Sequence, residues 1–334
     1  MPRGSNTNPF CRTLKLVEHY HLFMIGTRHM TVFFFAYFLR SWVRFATLSI
    51  SVALTACGGG SSAAMVESVP FASKILFVGN SFTRGDGALD VVNYKPSTVS
   101  DLNGNKLGGV PAIFKAFTLQ SGLNYVVSFE VVSGASLKHH YQVQAPLLQR
   151  AWDVVLMQDY STLNKDDPGN ANELIAYSDH LAAMFIEKNP SVVIKIAATW
   201  SRADQTYLPN GHWYGHPIET MALDLMKAYQ TADQKSIAIN GVVPIGMAWN
   251  RAFTSGFADA NPYDGIDNGR VNLWATDNYH ASKFGSYLEA LTIFGSVTGR
   301  DPRTLGAKET VAADLGITQQ QAQQMQQIAY EQLH

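Results

Sequence analysis

The chain predicts an α/β protein built on a parallel sheet with helices on both faces, and three observations carry that reading. Short apolar, β-favouring runs alternate with longer amphipathic stretches from Lys74 onward. The first run, Ile75-Leu76-Phe77-Val78, is apolar throughout, as expected of a strand buried on both faces. It stops at Gly79-Asn80-Ser81, residues that favour turns and caps. Ser81 thus lies just past the end of a central strand, where open α/β sheets bind ligands.

The elements follow in order. Strand 1 covers 75–78, and a Gly- and Asn-rich loop over 84–108 is expected to cover the site. A helix over 111–120 carries Ile113, Phe114, Phe117 and Leu119 as its apolar residues. Strand 2 spans 125–132, a helix 137–150, strand 3 153–157 and a helix 172–188. Strand 4 spans 192–198, a helix 218–232, strand 5 237–243. A loop rich in Gly, Asp and Asn (255–279) leads to a helix over 282–297, and segments 308–314 and 318–333 read as helices. The last is Gln-rich, yet Leu315, Ile317, Met325, Ile328 and Leu333 give it a face to bury. Right-handed crossovers leave few ways to order about five such strands. No internal repeat and no second folded domain is evident.

Composition narrows the function. Hydrophobic residues make up 46 % of the 334 and charged residues 15 %, so the chain can build a large core. A net charge of −1 carries no electrostatic footprint for nucleic acid. The two cysteines, Cys11 and Cys57, form no metal pattern.

The first 56 residues read as an N-terminal extension and signal. An apolar run (31–39), Arg40 and Arg44, and a second run (45–56) match a secretory signal. A single membrane helix from Val32 to Ala56 would bury both arginines at high cost. The sequence Leu54-Thr55-Ala56-Cys57, followed by GGGSSAA, resembles a bacterial lipoprotein signal. The resemblance implies cleavage before Cys57, acylation of that residue, a flexible tether over 57–72 and a cell-envelope protein anchored to a membrane by lipid. A start at Met24 or Met30 would leave an ordinary short signal.

A serine hydroxyl needs a base, the base needs an orienting partner, and the oxyanion needs preorganised donors. Strand 2 runs into Ser133-Gly134-Ala135, where a glycine lets backbone approach a ligand. Strand 3 runs into Gln158, whose amide can donate to an oxyanion, and Asp277-Asn278-Tyr279-His280 offers an acid and an imidazole at i,i+3 spacing. Each alone reads more simply as a turn, a strand terminus or a helix cap; together they share one sheet rim.

This set resembles the four blocks of the SGNH (GDSL-like) hydrolases over about 73–300, which places the hydrolase domain at 73–334. It is closest to a subgroup with GNSFT (79–83), WDVVLMQ (152–158) and HASKFGSYLEA (280–290). The resemblance implies a flavodoxin-like α/β/α sandwich. It also implies Ser81 as nucleophile, His280 as general base and Asp277 as its orienter. Ser81 N–H, Gly134 N–H and Gln158 would form the oxyanion hole. The wider family has Gly-x-Asn-Asp where this chain has Gln158, and GDS where it has Gly79-Asn80-Ser81. Ester hydrolysis without metal or organic cofactor follows, with O-acetylated carbohydrate the first substrate class. A catalytically idle carbohydrate-binding lipoprotein and an O-acyltransferase on the same residues are the alternatives.

Among the remaining candidates, Trp200, Trp213 and Tyr214 are placed as cleft aromatics or core, and Arg202 as a contact for an anionic substrate group. His139 and His140 are expected at the surface. His212 and His216 have the spacing of a helical zinc pair, but Gly215, Pro217 and the lack of an HExxH glutamate argue against it. Asp264 and Asp267 hint weakly at calcium.

Overall fold

The computed structural model describes residues 72–334. The signal segment over 1–56, Cys57 and the tether lie outside these residues, apart from the tether's last position. Six strands form one parallel sheet: β1 (Ser73–Gly79), β2 (Ser100–Asp101), β3 (Tyr125–Val131), β4 (Val154–Met157), β5 (Val193–Ala198) and β6 (Ile239–Pro244). The spatial order is β2-β3-β1-β4-β5-β6. The expected five strands become six because β2 lies within the segment read as a loop over 84–108. It has two residues, too few to show a period.

Register places β1 at the centre: Phe77 faces Phe129 of β3 on one side and Leu156 of β4 on the other. Alternate β1 residues feed two cores. Ile75 and Phe77 join Phe114, Phe117, Trp249 and Leu288, while Leu76 and Val78 join Leu174, Leu181, Phe185 and Leu225. An all-apolar strand therefore separates two helical layers, as the opening run predicts.

The helices are α1 (Ser81–Arg84), α2 (Gly109–Gln120), α3 (Asn172–Lys188), α4 (Glu219–Lys235), α5 (Ile245–Thr254), α6 (Lys283–Thr298) and α7 (Gln319–Leu333), besides shorter turns. α3 and α4 cover one face; α2, α5 and α6 cover the other. α5 was not anticipated. It leaves β6 directly, with Pro244 as both last strand residue and N-cap, so no turn residue marks its start. The helix expected over 137–150 is interrupted: Leu137–His139 passes through a π-turn at His140–Gln144 into Ala145–Leu148.

α6 shows why its motif has the form it does. Ser282 caps the helix, accepting from the N–H groups of Phe284 and Gly285 at 3.2 and 3.4 Å. A Cβ on Gly285 would lie 2.4 Å from the Leu273 carbonyl oxygen and 2.5 Å from Trp249, so only glycine lets the helix sit that close. Tyr287 and Leu288 are buried, and the Tyr287 hydroxyl donates to Glu309 at 3.1 Å. This packing holds the start of α6, and with it the turn bearing His280, against the sheet.

Candidate active site

Parallel order puts the C-terminal ends of β3, β1 and β4 side by side, so residues just past Val131, Gly79 and Met157 share one rim. β1 turns sharply into α1. A Cβ on Gly79 would lie 2.3 Å from Thr83 Oγ1 and 2.9 Å from Gln158 Oε1, so the turn needs glycine. Asn80 caps α1 through Oδ1, which accepts from Phe82 N–H at 3.1 Å. Ser81 is the first residue of the helix, where an N–H has no intrahelical partner.

The hydroxyl of Ser81 and the imidazole of His280 meet: Nε2 lies 2.9 Å from Oγ. His280 Nδ1 lies 2.7 Å from Asp277 Oδ2. Asp277 Oδ1 also accepts the backbone N–H groups of His280 (2.9 Å) and Tyr279 (3.0 Å). The turn thus fixes its own carboxylate before that carboxylate fixes the ring. Asn278 takes φ +56°, a left-handed position that asparagine tolerates. Burial pushes the Asp277 carboxyl up, but the hydrogen bonds from the His280 ring and the two N–H groups outweigh it and hold it below the usual carboxylate range. Gly87 packs under the same turn; a Cβ there would lie 2.9 Å from His280 Cβ.

Gly134 sits on the exposed turn after β3. Ala135 N–H donates to Val132 O at 3.0 Å, and Gly134 takes φ +70° at the third position of that turn. Arg84 bonds to both Asp86 and Ser133, and Ser133 Oγ donates to Asp86 at 2.9 Å, tying the turn to the end of α1. The loop over 84–108 therefore borders the site only at its start. Beyond that, Asn103 serves Glu130 and Val131 at the sheet edge, and Tyr94 and Lys95 reach Asp314.

Gln158 meets the turn that carries Ser81. Its Oε1 accepts from Asn80 N–H and Thr83 Oγ1, both at 3.2 Å, and its Nε2 donates to the Asp159 carbonyl. Asn80 Nδ2 donates to the carbonyls of Ala135 (3.0 Å) and Asp159 (3.2 Å). Asn80 and Gln158 thus clamp the three strand ends together, Gln158 giving that clamp its oxygen and one of its two amide hydrogens.

Trp200 is a correction: it is fully buried, stacked between Phe82 at 4.3 Å and Trp249 at 4.6 Å, and backs the site instead of lining it. Trp213 is buried as well, and the His212–His216 segment is a run of turns rather than a helix. His140, expected at the surface, is fully buried against Glu130 at 2.5 Å. Arg202 does reach the rim. It pairs with Asp204 at 2.6 Å, donates to Ser161 Oγ at 3.2 Å and stacks on the Tyr279 ring at 3.8 Å.

Asn80, Asp159, Ser161 and Tyr279 were not singled out as site residues, although GNSFT and the residues after β4 bracket three of them. Two surface clefts, of about 490 and 400 Å³, lie elsewhere, and neither is lined by Ser81, Asp277 or His280. Exposure falls along the acid–base–hydroxyl set: the Asp277 side chain is 45 % exposed, that of His280 16 %, and Ser81 is buried.

No protein-family model and no curated protein matches the chain. Among solved structures it is similar to a DUF4886 family protein from Bacteroides uniformis, at TM-score 0.52 and 17 % identity over 78 % of this chain and 95 % of that one. A GDSL-like lipase from Parabacteroides merdae also matches, at 0.46 and 17 % over 68 % and 95 %. An acetylxylan esterase from Geobacillus stearothermophilus matches at 0.43 and 15 % over 75 % and 98 %. At the first of these likenesses the shared property is the fold.

Proposed function

We propose that this protein is a serine hydrolase of carboxylic esters, with Ser81 as nucleophile, His280 as general base and Asp277 as the group that orients it. The observation that carries the reading is the chain of contacts from Asp277 through His280 to Ser81, at 2.7 and 2.9 Å. The carboxylate holds Nδ1 as the protonated nitrogen, leaving Nε2 free to take the serine proton. Ser81 Oγ then attacks the ester carbonyl, and the proton passes to the departing alcohol. Water attacks the acyl-enzyme with His280 again as base, releasing the acid and restoring Ser81. The N–H groups of Ser81 and Gly134 are the backbone donors for the oxyanion.

A buried Ser81 beside a half-exposed Asp277 suits a small acyl group reaching in from a larger molecule, and O-acetyl groups on carbohydrate are the substrate class proposed. A lipid anchor at Cys57 in a bacterial envelope agrees with that substrate. The test is an ester panel with the domain from about Ser61, wild type beside Ser81→Ala, together with labelling by a fluorophosphonate. Turnover and labelling that both vanish in Ser81→Ala are expected. Full activity of Ser81→Ala on an aryl acetate refutes the reading.

A further inference from the structure

Hydrolysis fixes where the alcohol half of the ester must lie. His280 Nε2, 2.9 Å from Ser81 Oγ, takes the serine proton and then gives it to the departing oxygen, so that oxygen lies beside His280. The Gly134 turn follows β3, on one side of β1. The segments that leave β4 and β5, on the other side, carry Ser161 and Arg202. The Tyr279 ring joins them to the base: its centroid lies 3.9 Å from that of His280 and 3.8 Å from the centre of the Arg202 guanidinium. A group that extends from His280 toward the end of β5 therefore comes to Arg202.

Arg202 is built into this place. Its neighbour Ser201 is buried; the Ser201 carbonyl accepts from Trp274 Nε1 and its hydroxyl from Ala222 N–H, both at 2.9 Å. The guanidinium pairs side-on with Asp204, Nε to Oδ1 at 3.0 Å and Nη2 to Oδ2 at 2.6 Å, and Nη1 donates to Ser161 Oγ at 3.2 Å. Gln205 steadies the acid: its Nε2 donates to Asp204 Oδ2 at 3.3 Å, and its Oε1 accepts from His212 N–H at 3.2 Å. One hydrogen on Nη1 and one on Nη2 remain, and Asp204 Oδ1 keeps room for a second donor. Neither side chain is sealed off: Arg202 is 12 % exposed and Asp204 22 %.

Spare N–H donors beside a spare carboxylate lone pair match two neighbouring hydroxyls, each of which both donates and accepts. The charges cancel within the pair, so it offers no net attraction to an anion. Arg202 alone suggests an anionic substrate group; Arg202 with Asp204 suggests an uncharged one. Resting on the hydrolase reading, we propose that Arg202 and Asp204 form the leaving-group subsite and bind neighbouring hydroxyls of a neutral sugar.

The probes are methyl glycosides of glucose, galactose and mannose, each with one O-acetyl group, the matching uronosides, which differ by a carboxylate, and an aryl acetate, which has no sugar. The wild type should favour a neutral glycoside over its uronoside in kcat/KM. Arg202→Gln should lower the ratio of glycoside to aryl-acetate kcat/KM by about ten- to hundredfold, chiefly through KM, as for lost hydrogen bonds to a charged group. Taking the ratio cancels any disturbance passed to His280 through Tyr279. Asp204→Asn keeps the size of the side chain and unmasks the guanidinium, so the ratio of uronoside to glycoside kcat/KM should rise by about tenfold. Three results overturn the subsite while leaving the hydrolase standing. They are Ser81-dependent turnover of the aryl acetate with no action on any sugar ester, a wild type that turns over the uronosides at least as well, and a ratio in either variant within about threefold of wild type. Absence of Ser81-dependent turnover on every ester overturns both readings.

Discussion

Replacing Asn80 by aspartate tests whether the clamp under the nucleophile is what holds the rim together. The change keeps the size of the side chain and the oxygen that caps Phe82 N–H. It replaces a two-hydrogen donor by a carboxylate oxygen facing two carbonyls, those of Ala135 and Asp159, at 3.0 and 3.2 Å. Asn80 is 2 % exposed, so water cannot take over. The Asp159 carbonyl keeps Gln158 Nε2 as a donor, but the Ala135 carbonyl is left unpaired at about 1–3 kcal/mol, so Asn80→Asp should lose about 2 kcal/mol at pH 8. At about 2–4 °C per kcal/mol for a domain of this size, the melting temperature should drop by about 4–8 °C. Thermal unfolding followed by circular dichroism reads this directly. Burial and the two carbonyls raise the pKa of the introduced carboxyl, so lowering the pH toward 5 restores one donor and narrows the deficit. The residual native protein should also turn over more slowly, because Ala135 closes the turn that presents Gly134. A melting temperature within about 2 °C of wild type at pH 8 refutes the clamp, since even one lost bond should exceed that.

Two further outcomes are expected. Asp159 is buried, with Oδ1 accepting from Leu137 N–H at 2.7 Å and Oδ2 lacking a partner, and burial pushes its carboxyl from an ordinary 3.8 up to about 6. Folding therefore takes up a proton between those values: the carboxyl costs stability above pH 6, by about 3 kcal/mol, and the cost fades as pH falls toward 4. Asp159→Asn should melt above wild type at pH 8 and level with it near pH 4 in a pH series of melts; a lower melting temperature at pH 8 would show that the charge is needed. In Gly87→Ala the new Cβ would lie 2.3 Å from the Ala281 carbonyl oxygen, 2.6 Å from Ala275 Cβ and 2.9 Å from His280 Cβ. The His280 turn must move, so kcat on an aryl acetate should fall by about tenfold or more while the fold survives; unchanged kcat would contradict that steric reading.

What was legible in the sequence, and what was not, divides along one physical line. Period and punctuation reveal what a segment is. They located the strand under Ser81, matched the 172–188 helix residue for residue, and made a shared rim for Ser81 and His280 expected. They fail where a segment is too short or unpunctuated, as in two-residue β2 and in α5, which starts on the last residue of β6. They fail more completely for the hydrogen-bonding direction of a buried polar side chain. Nothing in WDVVLMQ says whether the Gln158 amide points up at a substrate or down at Asn80 N–H, and the same composition serves either. The deciding fact is an accounting one: Asn80 N–H and Thr83 Oγ1 both need an acceptor in a buried space, and Gln158 Oε1 serves both, while its Nε2 joins Asn80 Nδ2 on the Asp159 carbonyl. The same holds for Trp200, whose aromatic character fits a sugar cleft as well as a core until Phe82 and Trp249 are found on its two faces. It holds also for His140, which satisfies buried Glu130. Satisfying the interior thus takes the oxygen and one of the two hydrogens of the amide that motif reading assigns to chemistry.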